Sequence, residues 1–186
     1  MRIKTILLLL LCCGTFGARA QDAESGFKEL ALNFQQYPTG SIPGLTYTAS
    51  LKPHQSVQLR VGYNFVYHGD AGVQSEETGG GFGFSPAWLY AFRADHRGLY
   101  LGARLDVWFN TIDWVQYLNA PGAGQGTTKL VVVQPTAAIG YRLLLGDRFT
   151  LTPELALGVE INAITDGEPT GQGAVLLGGL SVGRKF

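Results

Sequence analysis

Apolar and polar residues alternate along eight segments of the chain with a period of two, which is the period of a β-strand. These segments lie near residues 27–37, 43–51, 56–67, 81–93, 97–110, 129–143, 148–163 and 172–186. The seventh is the clearest, with one face formed by Phe149, Leu151, Pro153, Leu155, Leu157, Val159, Ile161 and Ala163. No segment keeps a 3.6-residue period, so the sequence predicts an all-β protein with little or no helix.

The polar face of these segments has an unusual composition. It carries mainly Gly, Ala, Ser, Thr and Asn with a few charges of both signs, whereas the solvent face of a soluble sheet carries Lys, Glu and Asp freely. Small residues are typical of a tightly filled interior. The apolar face then lies outside, where it is stable only in lipid. A secreted soluble sandwich or lipocalin-like barrel is the alternative interpretation.

The connections between the segments support a membrane barrel. Those at 52–55, 94–96 and 144–147 are short, and those at 37–42, 68–80, 111–128 and 165–171 are longer. Outer-membrane barrels alternate short periplasmic turns with longer extracellular loops in this way. The sequence therefore predicts an eight-stranded antiparallel up-and-down transmembrane β-barrel, in which the last strand pairs with the first because an open sheet edge is unstable in lipid.

The first twenty residues have the features of a secretory signal peptide. A basic start is followed by a short apolar run and by the small-x-small site at 18–20. We expect residues 1–20 to be a cleaved signal peptide and residues 21–186 to be the barrel domain. The alternative is a lipoprotein anchor at Cys12 or Cys13, although the residues just before them are leucines, where such signals have a small residue.

Composition narrows the functional classes. Removing residues 1–20 removes both cysteines and lowers Lys+Arg from 14 to 11 against 14 Asp+Glu. No disulfide or thiolate metal site is then available, and this charge balance gives no footprint for nucleic acid. Charged residues are 15% of the chain, against roughly 25% in soluble domains. We expect no cofactor.

The signal segment, the eight alternating segments and the terminal Phe186 together resemble the small eight-stranded outer-membrane β-barrel proteins of Gram-negative bacteria. The resemblance covers essentially the whole mature chain. It implies a monomer in the outer membrane, in contact with outer-membrane lipid and lipopolysaccharide, and inserted by the barrel assembly machinery. In that superfamily the last strand is the assembly signal, which Leu180, Val182 and Phe186 would satisfy here.

Aromatic residues are concentrated toward the two ends of the outward face. This distribution is typical of interfacial belts at headgroup level. The residues concerned are Tyr63, Phe65, Tyr67, Trp88, Tyr90, Phe92 and Phe109.

Six charged residues take the inward parity: Arg60, Arg104, Asp106, Arg142, Glu154 and Glu160. An isolated charge would be costly in a narrow lumen, so these residues should pair, with Glu154 meeting Arg104 or Arg142. An eight-stranded barrel has room for little more than its own side chains. We therefore expect a non-enzymatic protein with a structural or surface-interaction role through its loops. A narrow channel for ions or small solutes is the alternative.

Two weaker patterns could carry enzymatic chemistry. A lipid-modifying enzyme is therefore the third candidate function, after a structural or surface-interaction role and a channel. The first, His54 and Ser56, resembles the His-x-Ser of a lipid A deacylase but lies at a turn. The second is a loop cluster of His68, Asp70, Glu76 and Glu77, for which a solvated loop is the simpler interpretation.

Two further features carry expectations about local structure and charge. Pro86, Pro135 and Pro153 lie inside predicted strands, where we expect bulges or shorter strands because proline lacks the ladder donor. The long loops are acidic. The turn side is basic, carrying Lys52, Arg93, Arg97, Arg148 and Lys185. Acidic loops fit either divalent-cation binding or simple solubility.

Overall fold

The structure is a computed structural model that describes residues 26–69, 74–116, 124–168 and 170–186. The predicted signal peptide and the alternative lipoprotein cysteines lie outside these residues, as do Asp70 and the centre of the 111–128 connection. Eight strands account for nearly all of the described chain: β1 Lys28–Tyr37, β2 Gly40–Lys52, β3 Gln55–Gly69, β4 Gln74–Ala91, β5 Gly98–Gln116, β6 Gln125–Leu145, β7 Phe149–Asp166 and β8 Gly173–Lys185.

Each strand pairs antiparallel with its neighbour in sequence, and β1 closes the ring by pairing with β8. The closing ladder runs from Glu29 opposite Lys185 to Gln36 opposite Gly178. Backbone N–H and C=O groups at the seam are thereby paired, as a lipid environment requires. The predicted eight-stranded antiparallel up-and-down barrel is confirmed. In the described part of the chain, no helix has the length and hydrophobicity needed to cross a bilayer.

The outward surface is apolar on every strand. Leu155, Leu157 and Val159 of β7 point outward, and the Leu157 side chain is 61% exposed. Thr152 and Glu154 of the same strand are buried inside the ring. A monomeric soluble protein rarely exposes so large an apolar surface, whereas a bilayer covers it. The ring is therefore a transmembrane barrel, with the sidedness that the alternation predicted.

The barrel has two ends. The turn end is the end at which β1 begins and β8 ends. It carries the connections 53–54, 92–97 and 146–148. The loop end carries the connections between β1 and β2, β3 and β4, β5 and β6, and β7 and β8. The three short turns were predicted within one or two residues.

The predicted bounds at the loop end were wrong. β4 begins at Gln74 rather than 81, β5 continues to Gln116 rather than 110, and β6 begins at Gln125 rather than 129. Apolar alternation fades in these polar, glycine-rich stretches, but the ladder continues because backbone pairing does not depend on side-chain polarity. The 37–42 connection, expected to be long, is a two-residue turn at Pro38 and Thr39.

The prolines produce neither bulges nor shorter strands, which corrects the expectation. Pro86, Pro135 and Pro153 each keep a ladder partner on one neighbouring strand. The ladder on the other side skips beside each proline and resumes in the same register. A missing N–H removes a bond to one neighbour only, so the strand continues. Within the described residues the register shifts lie elsewhere, at Ser50/Lys52, Gln74/Glu76 and Val131/Val132.

A row of glycines on the inner wall makes room for a large ring. Gly44, Gly62 and Gly83 are directly opposite one another on β2, β3 and β4, and Gly83 is opposite Trp108 of β5. The Trp108 side chain is completely buried. A Cβ added at Gly83 would lie 2.2 Å from Trp108 Cε3 and 2.2 Å from the Val107 carbonyl oxygen. Glycine is therefore required at position 83 for close packing.

This packing gives a direct test. We expect Gly83→Ala to lower the free energy of unfolding by about 1–3 kcal/mol, because the added methyl overpacks against fixed backbone and indole. Urea unfolding in lipid vesicles, followed by tryptophan fluorescence and gel mobility, would measure it.

The matched control is Gly178→Ala on β8, where the nearest atom to an added Cβ is the Leu155 side chain at 3.8 Å. Its effect should stay within about 0.5 kcal/mol. Equal effects of the two substitutions would show that close packing against Trp108 is not what requires glycine.

Candidate functional site

The centre of the barrel holds a network of buried charges around Asp106. Its carboxylate is fully buried, and it accepts from Arg60 at 2.5 Å and from Arg104 at 3.0 Å. Arg60 Nη2 also donates to Ser85 Oγ at 3.0 Å, and Arg60 Nη1 donates to Gln35. The two guanidiniums, which would otherwise repel each other, share one carboxylate between them.

Glu154 extends this network across the lumen. It accepts from Arg104 at 2.8 Å, from Gln35 at 3.0 Å and from the Tyr100 hydroxyl at 2.6 Å. Of the two partners that the sequence left open for Glu154, the structure brings Arg104 to it. The participating side chains come from β1, β3, β4, β5 and β7, on several sides of the ring. They therefore meet in the middle of the barrel and do not line one wall.

Arg142 forms a separate cluster nearer the turn end. Its guanidinium lies 3.1 Å from the Glu29 carboxylate and donates to the His96 carbonyl at 2.9 Å. It is also stacked between two rings, 4.6 Å from the Phe27 centroid and 5.3 Å from that of Tyr100. Glu29 was not among the interior residues identified from the sequence, although it shares the inward parity of β1.

The half of the lumen toward the loop end contains an apolar layer, which the sequence analysis missed, next to buried polar residues that include Asn64, Asn110 and Thr128. A buried cluster joins residues from strands on all sides of the ring: Tyr37, Ile42, Trp108, Ile112, Leu130, Val132, Ala138, Ala156, Val175 and Leu177. Trp108 connects it to the charged centre, because its indole lies 5.6 Å from the Arg60 guanidinium and donates to Gln134 at 3.2 Å. Reading the inward parity through β6 and β8 would have identified Leu130, Val132, Val175 and Leu177.

Glu160 lies above this apolar layer, apart from the central network. Its carboxylate accepts from Gln134 at 2.5 Å and faces a half-open cavity of about 340 Å³ at the loop end. His68 and Glu77 also line this cavity, 4.0 Å apart. The sequence placed both in a loop, which was wrong: they lie on β3 and β4 and point into the mouth of the barrel. In the described part of the chain, no group of three or more His, Cys, Asp or Glu is arranged to hold a metal ion.

The candidate catalytic pair of the sequence analysis is not assembled. His54 Nδ1 lies 2.9 Å from the Ala91 carbonyl oxygen, and its ring stacks on Tyr90 outside the barrel. Ser56 Oγ is buried inside, with no hydrogen-bond partner among the described residues. The two side chains thus lie on opposite faces of the wall, and no proton can pass directly between them.

The predicted interfacial aromatics all lie on the outer surface. Tyr63 contacts Phe65 and Phe82 toward the loop end, and Tyr90 contacts Trp88 and Phe92 toward the turn end. Tyr67 of β3 and Phe109 of β5 are exposed on the outer surface toward the loop end. Of the proposed assembly signal, Leu180 and Val182 face outward beside β1, and Phe186 follows β8 with its ring 6.4 Å from that of Tyr47.

The buried position of Asp106 generates a prediction. Asp106→Ala leaves the Arg60 and Arg104 guanidiniums buried without their shared carboxylate, so the free energy of unfolding should fall by about 3–5 kcal/mol. The measurement is urea unfolding of the folded protein in lipid vesicles.

The control is Asp113→Ala on the same strand, whose exposed carboxylate accepts from Thr127 at 2.6 Å. It should change stability by less than about 1 kcal/mol. If both variants were equally stable, the network would contribute nothing to holding the barrel closed.

Comparison with known proteins returned only distant similarities. No family model matches the chain, and no curated protein matches it significantly. Several solved structures are similar to it, including the following three. The N-terminal β-barrel domain of Pseudomonas aeruginosa OprF is 16% identical, covering 87% of this chain and 100% of that one, with a TM-score of 0.48. The Yersinia pestis attachment invasion locus protein Ail is 7% identical, covering 87% and 97%, with a TM-score of 0.48.

The third is Neisserial surface protein A, 9% identical, covering 89% of this chain and 98% of that one, with a TM-score of 0.47. Identities and TM-scores this low assign no function, and they add nothing to the residues described above. The chain's own strand pairing shows the fold: a closed transmembrane barrel of eight antiparallel up-and-down strands.

Proposed function

We propose that this chain is an integral outer-membrane β-barrel protein with a non-enzymatic role, structural in the envelope or interactive through its loop end. The observation that supports it best is the closed lumen. Among the residues of the central network the free volume is only about 10 Å³, the room of about one water molecule.

Ion passage would have to break this network. Asp106 is held by Arg60 of β3 and by Arg104 of its own strand, and Arg104 also holds Glu154 of β7, so opening a path needs several charge-assisted hydrogen bonds to be lost together. Each bond lost would leave a buried charge without its partner, which is costly in a narrow lumen. The network therefore blocks the lumen with the barrel's own inward side chains.

The apolar layer forms a second seal. Ile112, Val132 and Leu177 come from β5, β6 and β8 and are almost completely buried. A hydrated ion entering from the loop end would have to lose water against these side chains before reaching the charged centre. Two consecutive seals of different chemistry favour a structural barrel over the channel alternative.

The loop end is the surface available for interactions. β4, β5 and β6 contain 18, 19 and 21 residues, whereas a tilted strand needs about 9–11 to cross the hydrocarbon. The excess lies mainly toward the loop end, where the described residues are acidic, with Glu76, Asp113, Asp166 and Glu168. A paired extension of this kind presents loops above the membrane surface on a rigid support.

The first prediction concerns location. Expressed with its own first 20 residues in a Gram-negative cell, the protein should fractionate with the outer membrane and begin at Gln21 by N-terminal sequencing. It should migrate differently on gels before and after heating, as a folded barrel does. Recovery in the soluble periplasm or the inner membrane would contradict the proposal.

The second prediction concerns conductance. The purified protein should produce no discrete current steps in planar lipid bilayers, because both seals are closed. Arg104→Ala, which removes the link between Asp106 and Glu154, should show at most brief openings. Lys129→Ala is the control, since this side chain is exposed on the outside of β6. Steady wild-type conductance that changes with Arg104→Ala but not with Lys129→Ala would establish the channel function instead.

A further inference from the structure

Basic residues surround the turn end of the barrel. Each connection at this end contains or directly adjoins at least one, and both strands of the closing seam carry at least one. The set is Lys28, Lys52, Arg93, Arg97, Arg148, Arg184 and Lys185, and we call it the basic rim. All of these side chains are exposed except Lys185, which is half-buried with its ammonium 6.0 Å from the Phe27 ring.

Acidic residues are fewer than basic ones at this end: in the described part of the chain they are Asp95, Asp147 and the buried Glu29. Asp95 lies 2.9 Å from Arg93 and 3.8 Å from Arg97, and these cations hold its pKa low, at about 2. Glu29 is buried against Arg142 and is not available at the surface. In the described part of the chain, Lys28, Lys52, Arg148 and Arg184 have no carboxylate within 4.0 Å. Their charge is therefore left for an external anion.

The position of these cations indicates which anion. Lys52 follows the exposed Leu51, Arg93 follows the exposed Phe92, and Arg148 precedes the exposed Phe149. Each cation thus lies at the edge of the apolar band that meets the acyl chains. Long basic side chains at this edge reach the level of the lipid phosphates while their stems stay in apolar surroundings.

We propose that the basic rim binds the headgroups of anionic phospholipids in the leaflet at the turn end. The charge complementarity is local, because the described residues of the opposite end are predominantly acidic. Since the cations occur around the whole circumference, the rim selects a shell of anionic lipid and does not form one pocket. This inference depends on membrane insertion and goes beyond the proposed function, because it holds whether or not the lumen conducts.

The test measures lipid selectivity directly. The full mature protein is reconstituted in phosphatidylcholine vesicles at neutral pH and low salt, with spin-labelled phosphatidylglycerol or phosphatidylcholine as probe. Electron spin resonance gives the fraction of label held at the protein surface. We expect phosphatidylglycerol to be preferred by a factor on the order of five, as for a lipid held by one basic side chain near the surface. The preference should weaken in 1 M salt, because screening is then strong.

Matched variants identify the residues responsible. Lys28→Gln, Lys52→Gln, Arg148→Gln and Arg184→Gln combined should weaken the preference strongly, because only Arg93, Arg97 and Lys185 of the rim then remain and Asp95 is paired with the two arginines. Asp95→Asn, which frees Arg93 and Arg97, should increase it. The control neutralises four charges at the other end by Glu76→Gln, Asp113→Asn, Asp166→Asn and Glu168→Gln, and should leave the preference in place. Gel mobility before and after heating checks that each variant is folded.

Two results would overturn the proposal. One is equal retention of the two labels by the wild-type protein. The other is a preference that is undiminished in the combined rim variant, which would show that these four cations do not hold the lipid. If the combined variant failed to fold, Asp95→Asn would decide alone, because a preference unchanged by freeing Arg93 and Arg97 also contradicts the proposal.

Discussion

The pairing of β1 with β8 is the constraint on which the rest of the structure depends. In hydrocarbon no water is available to the backbone, so each unpaired N–H or C=O costs several kcal/mol, and the sheet has to close on itself. Because the ring closes with eight strands, its interior is narrow. The outward side chains then have only to be apolar, while the inward ones have to fill a small space completely.

The interior meets this requirement with two kinds of packing. Charged and hydrogen-bonded side chains fill the middle, with Asp106 shared by Arg60 and Arg104. An apolar layer fills much of the loop half, where Trp108 occupies the room that Gly83 leaves. Because Arg60 pairs with Asp106 and Arg104 pairs with Glu154 across strands, these charges hold distant parts of the ring together. The half-open cavity at the loop end begins only beyond this filled region.

Sequence patterns predicted more of the wall than of its contents. Strict alternation located every strand and its sidedness, since an apolar surface facing lipid leaves a clear period of two. Strand ends at the loop side were missed because pairing there continues through polar residues, as for Thr78 opposite Asp113. The prolines were expected to disturb the register and did not, since the loss of one donor affects only one neighbouring strand. His68 and Glu77 were assigned to a loop for the same reason: they lie in stretches where pairing continues but apolar alternation has ended.

By itself, the sequence determined which side of each strand meets lipid, that the chain forms an all-β barrel, and which charged residues point inward. Parity is a local property, so it can be read from consecutive residues. Only the tertiary structure decided that Glu154 pairs with Arg104 while Arg142 pairs with Glu29. It also decided that cations from five separate parts of the chain form one rim. Those relations depend on the stagger between strands and on ring closure, which bring together residues far apart in the chain.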